Sequence, residues 1–307
     1  MSIFISIASY EDPSLADTMR SALENAENPD DIVFGLGLQY YDFPDLSEFN
    51  KNNLRILKYD PDTRPGIVRI RHEISKLMKD EDFFLQSDSH YKFSKGWDKI
   101  LIDKYLEISK NINDSRIILL PMGPFEDGTV MSSRFRLELE DSALGHMVTQ
   151  MIPENTREEV SSEYDEVYFG RVGQIFIPKD FISDIGLDSY SQLTLEIGYF
   201  SYRALMSGYR IFRINKSIMH QDDSTYFEQV WKNKQDSAIN RFGSSLGVDR
   251  AIAWHEMSLA LIYNDYSKYA IKNAVMSPER FWELQGESES FTKCKEYYDL
   301  ILYNNPV

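Results

Sequence analysis

Short apolar runs alternate with amphipathic stretches along the first 120 residues. Continuous apolar runs of four to eight residues are typical of buried strands, whereas apolar positions three or four apart are typical of helices. The apolar runs predict strands at 3–8, 32–38, 54–59, 83–86 and 116–120. The amphipathic stretches predict helices at 12–27, 66–79 and 96–109. Asp12 is the predicted N-cap of the first helix, with Pro13 at its first helical position. Strands separated by helices in this way indicate a Rossmann-like α/β fold, with a mainly parallel central sheet flanked by helices.

The pattern is weaker in the second half of the chain. Residues 130–139 predict an exposed strand, whereas 152–165 are polar and acidic without a helical or strand period. We interpret 121–170 as a functional excursion from the domain, with a surface insertion of no function as the open alternative. Regular patterns return as a strand at 173–178, a helix at 192–207, a pair of strands at 209–219, and helix from 226 onward. The predicted organisation is one domain at 1–240 and a helical C-terminal extension at 241–307.

Charge and cysteine content limit the classes of function. The 307-residue chain has a formal net charge of −16, which argues against a general nucleic-acid-binding protein because phosphate contacts need a basic face. Its single cysteine, Cys294, excludes an internal disulfide and a cysteine-based zinc site, as expected in a reducing compartment. No segment approaches the roughly 18–20 apolar residues that span a bilayer. We therefore expect a cytoplasmic protein without a membrane partner.

An acid and a histidine follow the fourth predicted strand, in the sequence Gln86-Ser87-Asp88-Ser89-His90. In an extended chain, residues i and i+2 point to the same side, so Asp88 and His90 could bind one ion. A carboxylate and an imidazole suit Mn²⁺ or Mg²⁺, with phosphate oxygens completing the coordination shell. The simpler alternative is that Asp88 begins a turn and His90 is a surface residue. The position of the pair, after a predicted parallel strand, favours the metal site.

A basic segment lies upstream of this pair, with Arg64, Arg69 and Arg71 within eight residues of an otherwise acidic chain. Pro65 and Gly66 form a predicted turn before a helix, and a helix N-terminus offers backbone N–H groups to an anion. Arg64 and Arg69 would then bind a diphosphate. A solvated basic helix start explains the same pattern equally well.

Two further candidates come from the second half of the chain. Glu196 lies near the start of the helix at 192–207, and His220 closes the pair of strands at 209–219. Each also has a simpler interpretation. An acid at a helix start is stabilised by the helix dipole, and a single histidine at a strand end is more often structural.

Taken together, these segments resemble GT-A glycosyltransferases, and in particular the cytoplasmic N-acetylglucosaminyltransferases that act on protein hydroxyproline. The resemblance rests on Ala8-Ser9-Tyr10 followed by Asp12-Pro13, on LQSDSHYKFSKGWD at 85–98, and on the arginine segment. The helix start at Glu196 is similar to that of polypeptide GalNAc-transferases. The resemblance covers 3–120 and 173–250 and leaves 121–170 without a counterpart.

The resemblance implies metal-dependent transfer of a sugar, GlcNAc or a related one, from a UDP-sugar to an acceptor hydroxyl, with retention of configuration. It implies that Asp88, His90 and His220 hold Mn²⁺ or Mg²⁺, which makes Asp88 part of the catalytic centre. Glu196 would position the acceptor hydroxyl or support the positive charge that develops on the sugar. The residues expected to bind the nucleotide-sugar donor are Ser9, Tyr10, Gln39, Arg64, Arg69 and Ser87.

The acceptor would be a protein, a glycan or, less in keeping with the acidic charge, a modified nucleobase, and 121–170 would lie on the acceptor side. Two other functions stay open at this point. A metal-dependent nucleotide-sugar hydrolase or phosphodiesterase would use similar residues, although it normally needs more carboxylate or histidine ligands. A non-catalytic module that binds nucleotide sugars would need the arginines but not Glu196.

Overall fold

The computed structural model describes residues 1–63, 65–121, 123, 128–141, 147–160, 162–169, 174–187, 193–221, 256–264 and 270–304. The chain forms two compact units. The first comprises Met1–Ser132, Arg157–Phe200 and Tyr209–Asp222, and the second comprises Ser133–Thr156, Ser201–Gly208 and Asp223–Val307. The predicted boundary at residue 240 lies outside the described residues and stays a prediction.

The strands of the described residues, in chain order, are β1 (Ile3–Tyr10), β2 (Ile32–Gln39), β3 (Leu54–Tyr59), β4 (Phe83–Asp88), β5 (Tyr91–Phe93), β6 (Ile117–Leu120), β7 (Thr129–Asp141), β8 (Met147–Glu159), β9 (Tyr164–Val167), β10 (Ile175–Pro178), β11 (Arg210–Ile214) and β12 (Met219–Gln221). Eight of these described strands form one sheet in the order β3-β2-β1-β4-β10-β6-β11-β9. Strands β3, β2, β1 and β4 are parallel neighbours, and β11 is parallel to β6. Only β10 and β9 pair in the antiparallel sense within this sheet. The predicted mainly parallel sheet is therefore confirmed.

The register of the parallel strands brings their carboxyl ends to one edge of the sheet. Tyr10 at the end of β1 lies beside Gln39 at the end of β2, which in turn lies beside Tyr59 at the end of β3. On the other side of β1, Ala8 lies beside Asp88 at the end of β4. Ligands of parallel α/β sheets bind outside the carboxyl ends of the strands, so a ligand site is expected at this edge.

Five helices of the described residues accompany these strands: α1 (Leu15–Asn25), α2 (Ile67–Ser75), α3 (Trp97–Ile112), α4 (Lys179–Asp184) and α5 (Leu193–Met206). Helix α2 packs closely on β2 because the residues of β2 that face α2 are glycines. A Cβ atom on Gly37 would lie 2.3 Å from Cγ2 of Ile70, and one on Gly35 would lie 2.8 Å from Cγ2 of Ile74. Both distances are shorter than carbon–carbon contact allows. The two glycines therefore set the depth at which α2 lies over the sheet.

The Gly-Trp-Asp segment at the start of α3 has a structural role. The indole Nε1 of Trp97 donates to the carbonyl oxygen of Ala22 at 2.8 Å. The buried carboxylate of Asp98 accepts the backbone N–H groups of Glu27 at 2.8 Å and Asn28 at 2.9 Å. These bonds satisfy backbone groups just beyond the C-terminus of α1, and they hold α3 against α1 in the first unit.

Helix α1 begins three residues later than predicted. Ser14 occupies the N-cap of α1, and the first helical residue is Leu15. Asp12, which was predicted to cap the helix, lies in the preceding loop, where its Oδ1 accepts the backbone N–H of Ser14 at 2.9 Å. Its second oxygen, Oδ2, has Ser89 and His90 as partners.

The prediction that 152–165 lacks regular structure is wrong. Strands β7 and β8 form a two-stranded sheet, and β9 joins the edge of the main sheet. Residues 156–159 of β8 are exposed, and an exposed strand needs no apolar alternation, so the sequence shows no period there. The predicted strand at 130–139 is confirmed as part of β7.

The predicted C-terminal helical extension is described in part. Helical segments occur at 256–263, Pro278–Leu284 and Ser288–Asn304. Residues 270–277 form turns and bends, so the prediction of helix is wrong there, and 226–255 lie outside the described residues. None of the helices described here is long and apolar enough to cross a membrane.

Candidate functional site

Asp88 ends β4 at the carboxyl edge of the sheet and forms an ion pair with α2. Nη2 of Arg71 lies 2.7 Å from Oδ1 of Asp88. The arginine side chain is only 4% exposed, whereas that of Asp88 is 26% exposed. The buried guanidinium therefore binds the carboxylate from the interior of the protein. The carboxylate itself is partly exposed at the carboxyl edge of the sheet. The contact involves Oδ1, so Oδ2 is the oxygen that could ligate an ion.

Arg71 was part of the predicted basic segment but was not among the predicted donor-binding residues. A signal for its buried position was present in the sequence. Residues 67, 70, 71 and 74 follow the i, i+3, i+4, i+7 spacing of one helix face, and Ile70 and Ile74 on that face are fully buried. An arginine on a buried face needs a carboxylate partner, and the nearest strand end supplies one.

His90 is bound to the carboxylate of Asp12. Nδ1 of His90 lies 3.1 Å from Oδ2 of Asp12, and the hydroxyl of Ser89 donates to the same oxygen at 2.7 Å. Burial would raise the pKa of Asp12, but hydrogen bonds from His90, Ser89 and the backbone of Ser14 hold the pKa below its ordinary value. Asp12 is therefore a buried carboxylate that accepts three hydrogen bonds.

Tyr40, the residue after β2, holds Asp12 in place. Its hydroxyl donates to the carbonyl oxygen of Asp12 at 2.7 Å, accepts the backbone N–H of Asp12 at 3.1 Å, and lies 2.5 Å from Oγ of Ser9. Burial raises the pKa of Tyr40, so the phenol keeps its proton. The preceding residue, Glu11, has a positive φ of 49°, which is uncommon outside glycine. Its N–H donates to the carbonyl oxygen of Gln39 at 3.1 Å, which helps to hold this conformation.

The backbone geometry expected for Asp88 and His90 is wrong. Strand β4 ends at Asp88, and residues 89 and 90 form a turn. The alternation of an extended chain therefore stops at Asp88, and the two side chains have different partners, Arg71 and Asp12. Within the described residues, no group of three or more His, Cys, Asp and Glu side chains is arranged to hold a metal ion. A metal held by Asp88 and His90 stays a prediction.

The turn at 89–90 is fixed against α1 by Thr18. The hydroxyl of Thr18 donates to the carbonyl oxygen of Ser89 at 2.8 Å and accepts the N–H of Tyr91 at 3.0 Å. The ring of His90 stacks on that of Tyr91, with centroids 5.5 Å apart. Backbone and ring of His90 are thus both constrained.

His220 lies on the strand next to this turn. β12 pairs with β5 in the antiparallel sense, and His220 lies opposite Lys92, two residues beyond His90. His220 is exposed. β12, which contains the third predicted ligand His220, therefore pairs with β5, the strand that directly follows His90. The role of His220 as a metal ligand stays a prediction.

The predicted donor-binding residues have different environments. Ser9 is 1% exposed, and its hydroxyl is hydrogen-bonded to that of Tyr40. Ser87 is also buried, and its hydroxyl donates to the carbonyl oxygen of Asp88 at 3.0 Å. Gln39 is also buried, whereas Tyr10 beside it is half-buried. These residues share the carboxyl edge of β1, β2 and β4, and their contacts with a donor stay predictions.

The remaining predicted site residues are described incompletely. Arg69 is exposed in the first turn of α2. Arg64 lies outside the described residues, and Glu196 lies in α5 with its side chain outside the description.

The residue types at this edge, and not an observed arrangement of ligands, suit a divalent cation that also binds phosphate. Asp88 supplies a carboxylate oxygen and His90 an imidazole nitrogen, which suit Mn²⁺ or Mg²⁺. Two protein ligands leave most of the coordination shell to other oxygens. The fit is therefore to an ion shared with a diphosphate, and not to a closed structural metal site.

Comparison with known proteins bears on this segment directly. A family model described as Glycosyltransferase (GlcNAc) matches residues 39–123, a range that includes Arg71, Asp88 and His90. No curated protein sequence matches the chain. The solved structures similar to it include GalNAc-T7 with UDP, GalNAc and Mn²⁺, at a TM-score of 0.52 and 15% identity. That likeness covers 100% of this chain but only 58% of the GalNAc-T7 chain.

A more distant likeness is to A197 from STIV, with a TM-score of 0.40, 14% identity, and coverage of 72% of this chain and 86% of that one. The GalNAc-T7 likeness shows the fold, and the fold is of the GT-A type. The family model over 39–123 and this fold together support a glycosyltransferase.

Proposed function

We propose that the chain is a metal-dependent glycosyltransferase that moves GlcNAc or a related sugar from a UDP-sugar to an acceptor hydroxyl, with retention of configuration. One observation carries the proposal. Two buried partners, Arg71 and Asp12, hold Asp88 and His90 at the carboxyl edge of the parallel strands, within the segment that matches a glycosyltransferase family.

The diphosphate of the donor would bind at the N-terminus of α2. This helix begins at Ile67 after Gly66, whose φ is 84°, and its first N–H groups have no partner within the helix. An anion is favoured at such an end. Arg69 in the exposed first turn, with Arg64 before it, would add positive charge that stabilises the leaving diphosphate.

Asp88 and His90 would hold the ion, Mn²⁺ or Mg²⁺, with His220 as a third ligand. When bound, such an ion stabilises the negative charge that develops on the leaving diphosphate. The similar GalNAc-T7 structure contains UDP and Mn²⁺, which supports this donor and metal for the chain. Arg71 would keep the Asp88 carboxylate oriented toward the edge.

The other predicted residues would complete the donor and acceptor sites. Tyr10 and Gln39 would line the base or ribose, with Ser9 and Ser87 behind them. Glu196 would position the acceptor hydroxyl or support the positive charge on the sugar. The 121–170 region would lie on the acceptor side. The acceptor would be a protein or a glycan in the cytoplasm, with a modified nucleobase less compatible with the net charge of −16.

A donor-hydrolysis screen tests this function without knowledge of the acceptor. UDP-, GDP- and ADP-sugars are incubated with the protein, with Mn²⁺ or with EDTA, and release of the nucleoside diphosphate is measured. We expect slow release of UDP that requires the metal, greatest for UDP-GlcNAc or a related UDP-sugar. Release that is unaffected by EDTA would contradict metal dependence. If the folded protein releases no nucleoside diphosphate from any donor, the proposed enzymatic activity is contradicted.

A further inference from the structure

We propose that Tyr41 is a positioning residue for the diphosphate of the donor. Its hydroxyl holds the carboxylate of Asp62, and thereby fixes the loop after β3 that leads into the N-terminus of α2. The inference rests on the proposed function, because it concerns the site that this function assigns to the diphosphate. Tyr41 acts through the loop and does not contact the donor in this role.

Tyr41 joins the loops that follow three neighbouring parallel strands. It lies just beyond β2, and its backbone N–H donates to Oε1 of Glu11, directly after β1, at 2.6 Å. Its hydroxyl donates to Oδ1 of Asp62, shortly after β3, at 2.7 Å. The carboxyl ends of β1, β2 and β3 lie side by side, so one residue links the loops beyond all three.

The bond between Tyr41 and Asp62 lies at the surface and not in the core. Tyr41 is 60% exposed, and Asp62 is also exposed. Water competes for a hydrogen bond at such a surface, so this bond adds little to the net stability of the fold. Its consequence is local, because it sets the position of the loop after β3 relative to the loop after β2.

The loop after β3 has a fixed shape of its own. Oδ1 of Asp60 accepts the backbone N–H of Asp62 at 2.8 Å. The carbonyl oxygen of Asp60 accepts the backbone N–H of Thr63 at 3.1 Å and the Thr63 hydroxyl at 2.7 Å. These bonds lie within the loop, so they fix its shape without fixing its place at the edge of the sheet. The bond from Tyr41 connects the loop to a neighbouring one.

The place of this loop matters because α2 follows it. Gly66 is the N-cap of α2, and the helix begins at Ile67. In the proposed function the diphosphate binds the N–H groups of this helix end. A loop that is already held in place spares the ligand the free energy of ordering it on binding. Loss of the Tyr41 hydroxyl is therefore expected to weaken binding of the diphosphate more than it weakens the fold.

Four variants test the inference. Tyr41→Phe removes the hydroxyl and keeps the ring. Asp62→Asn keeps an oxygen that accepts this hydroxyl, whereas Asp62→Ala removes it, and these two variants have the same charge. Tyr263→Phe is the matched control, because the hydroxyl of Tyr263 donates to Oδ1 of Asp299 at 2.6 Å in the second unit, where the proposed function places no donor. Calorimetric titration of UDP in saturating Mn²⁺ gives the affinity, and thermal unfolding without ligand shows whether each variant is folded.

We expect Tyr41→Phe to weaken UDP binding about three- to tenfold, the range expected for one hydrogen bond, with the melting temperature of the ligand-free protein nearly unchanged. Asp62→Ala should bind UDP less tightly than Asp62→Asn by a similar factor, and Tyr41→Phe should have no further effect in the Asp62→Ala background. Tyr263→Phe should bind UDP as the wild type does.

Wild-type UDP affinity of folded Tyr41→Phe overturns the inference and leaves the proposed function intact. Equal affinities of Asp62→Ala and Asp62→Asn also overturn it, and this comparison needs no variant of Tyr41. Failure of the wild-type protein to bind UDP with Mn²⁺ overturns both the inference and the proposed function.

Discussion

Replacing Asp88 by asparagine is expected to lower metal-dependent sugar release by about a hundredfold or more. A neutral amide is a poor ligand for Mn²⁺ or Mg²⁺, and loss of about 3 kcal/mol of transition-state stabilisation corresponds to a factor above one hundred. Asparagine keeps an oxygen for Arg71, so the buried guanidinium retains a partner. Alanine would leave Arg71 without this oxygen, and breaking a buried ion pair costs about 3–5 kcal/mol of folding stability.

The measurement is kcat for donor hydrolysis with Mn²⁺, together with thermal unfolding of each variant. Asp114→Asn is the matched control, because Asp114 also pairs with an arginine, Arg116 at 3.0 Å, and its side chain is 28% exposed. We expect Asp114→Asn to retain wild-type turnover. Wild-type turnover of folded Asp88→Asn would remove Asp88 from the catalytic centre.

The largest effect on stability is expected for Gly35→Ala. The new Cβ would lie 2.1 Å from Cζ of Phe4 and 2.8 Å from Cγ2 of Ile74, and both of these side chains are fully buried. The Phe4 ring, β2 or α2 must then shift. Overpacking of a core typically costs about 1–3 kcal/mol and occasionally more, and here it also displaces the helix that carries Arg71.

Urea unfolding measures this loss, and a second substitution distinguishes overpacking from other causes. Phe4→Leu removes the ring atoms that Cβ would meet. We expect the double variant Gly35→Ala with Phe4→Leu to lose less stability than the sum of the two single losses, since the two sites are in contact. Strictly additive losses, or a Gly35→Ala protein as stable as wild type, would show that the contact with Phe4 does not limit the substitution at Gly35.

The sheet was predictable from the sequence because three of its parallel strands, β1, β2 and β4, are buried. A strand buried on both faces is apolar throughout, so 3–8, 32–38 and 83–86 stand out as apolar runs and all lie in observed strands. The predicted strand at 54–59 is confirmed as β3, but it is a partly exposed edge strand and not a buried one. β9 does not form such an apolar run. The tetrad Tyr164-Asp165-Glu166-Val167 of β9 is largely polar, and it joins the sheet only at its edge.

The partners within the site could not be predicted in the same way. Arg71 and Asp88 are 17 residues apart, and Asp12 and His90 are 78 apart. Local periodicity contains no information about which side chains meet across such separations. Asp12 was assigned to a helix cap because Asp-Pro is a common helix start. The tertiary contact with Ser89 and His90 overrides that local preference.

The most direct test of the account is whether UDP and Mn²⁺ bind as one unit. If Asp88 and His90 hold an ion that also needs diphosphate oxygens, neither ligand should stabilise the protein much alone. Together, at about 100 times the dissociation constant, they should add about 2.7 kcal/mol of stability, a rise of a few degrees in melting temperature. Unfolding is measured with UDP, with Mn²⁺, with both, and with ADP or GDP plus Mn²⁺. The account predicts a shift for UDP with Mn²⁺ that exceeds the sum of the separate shifts and is lost in His90→Ala. Equal shifts from all three diphosphates without metal would contradict it.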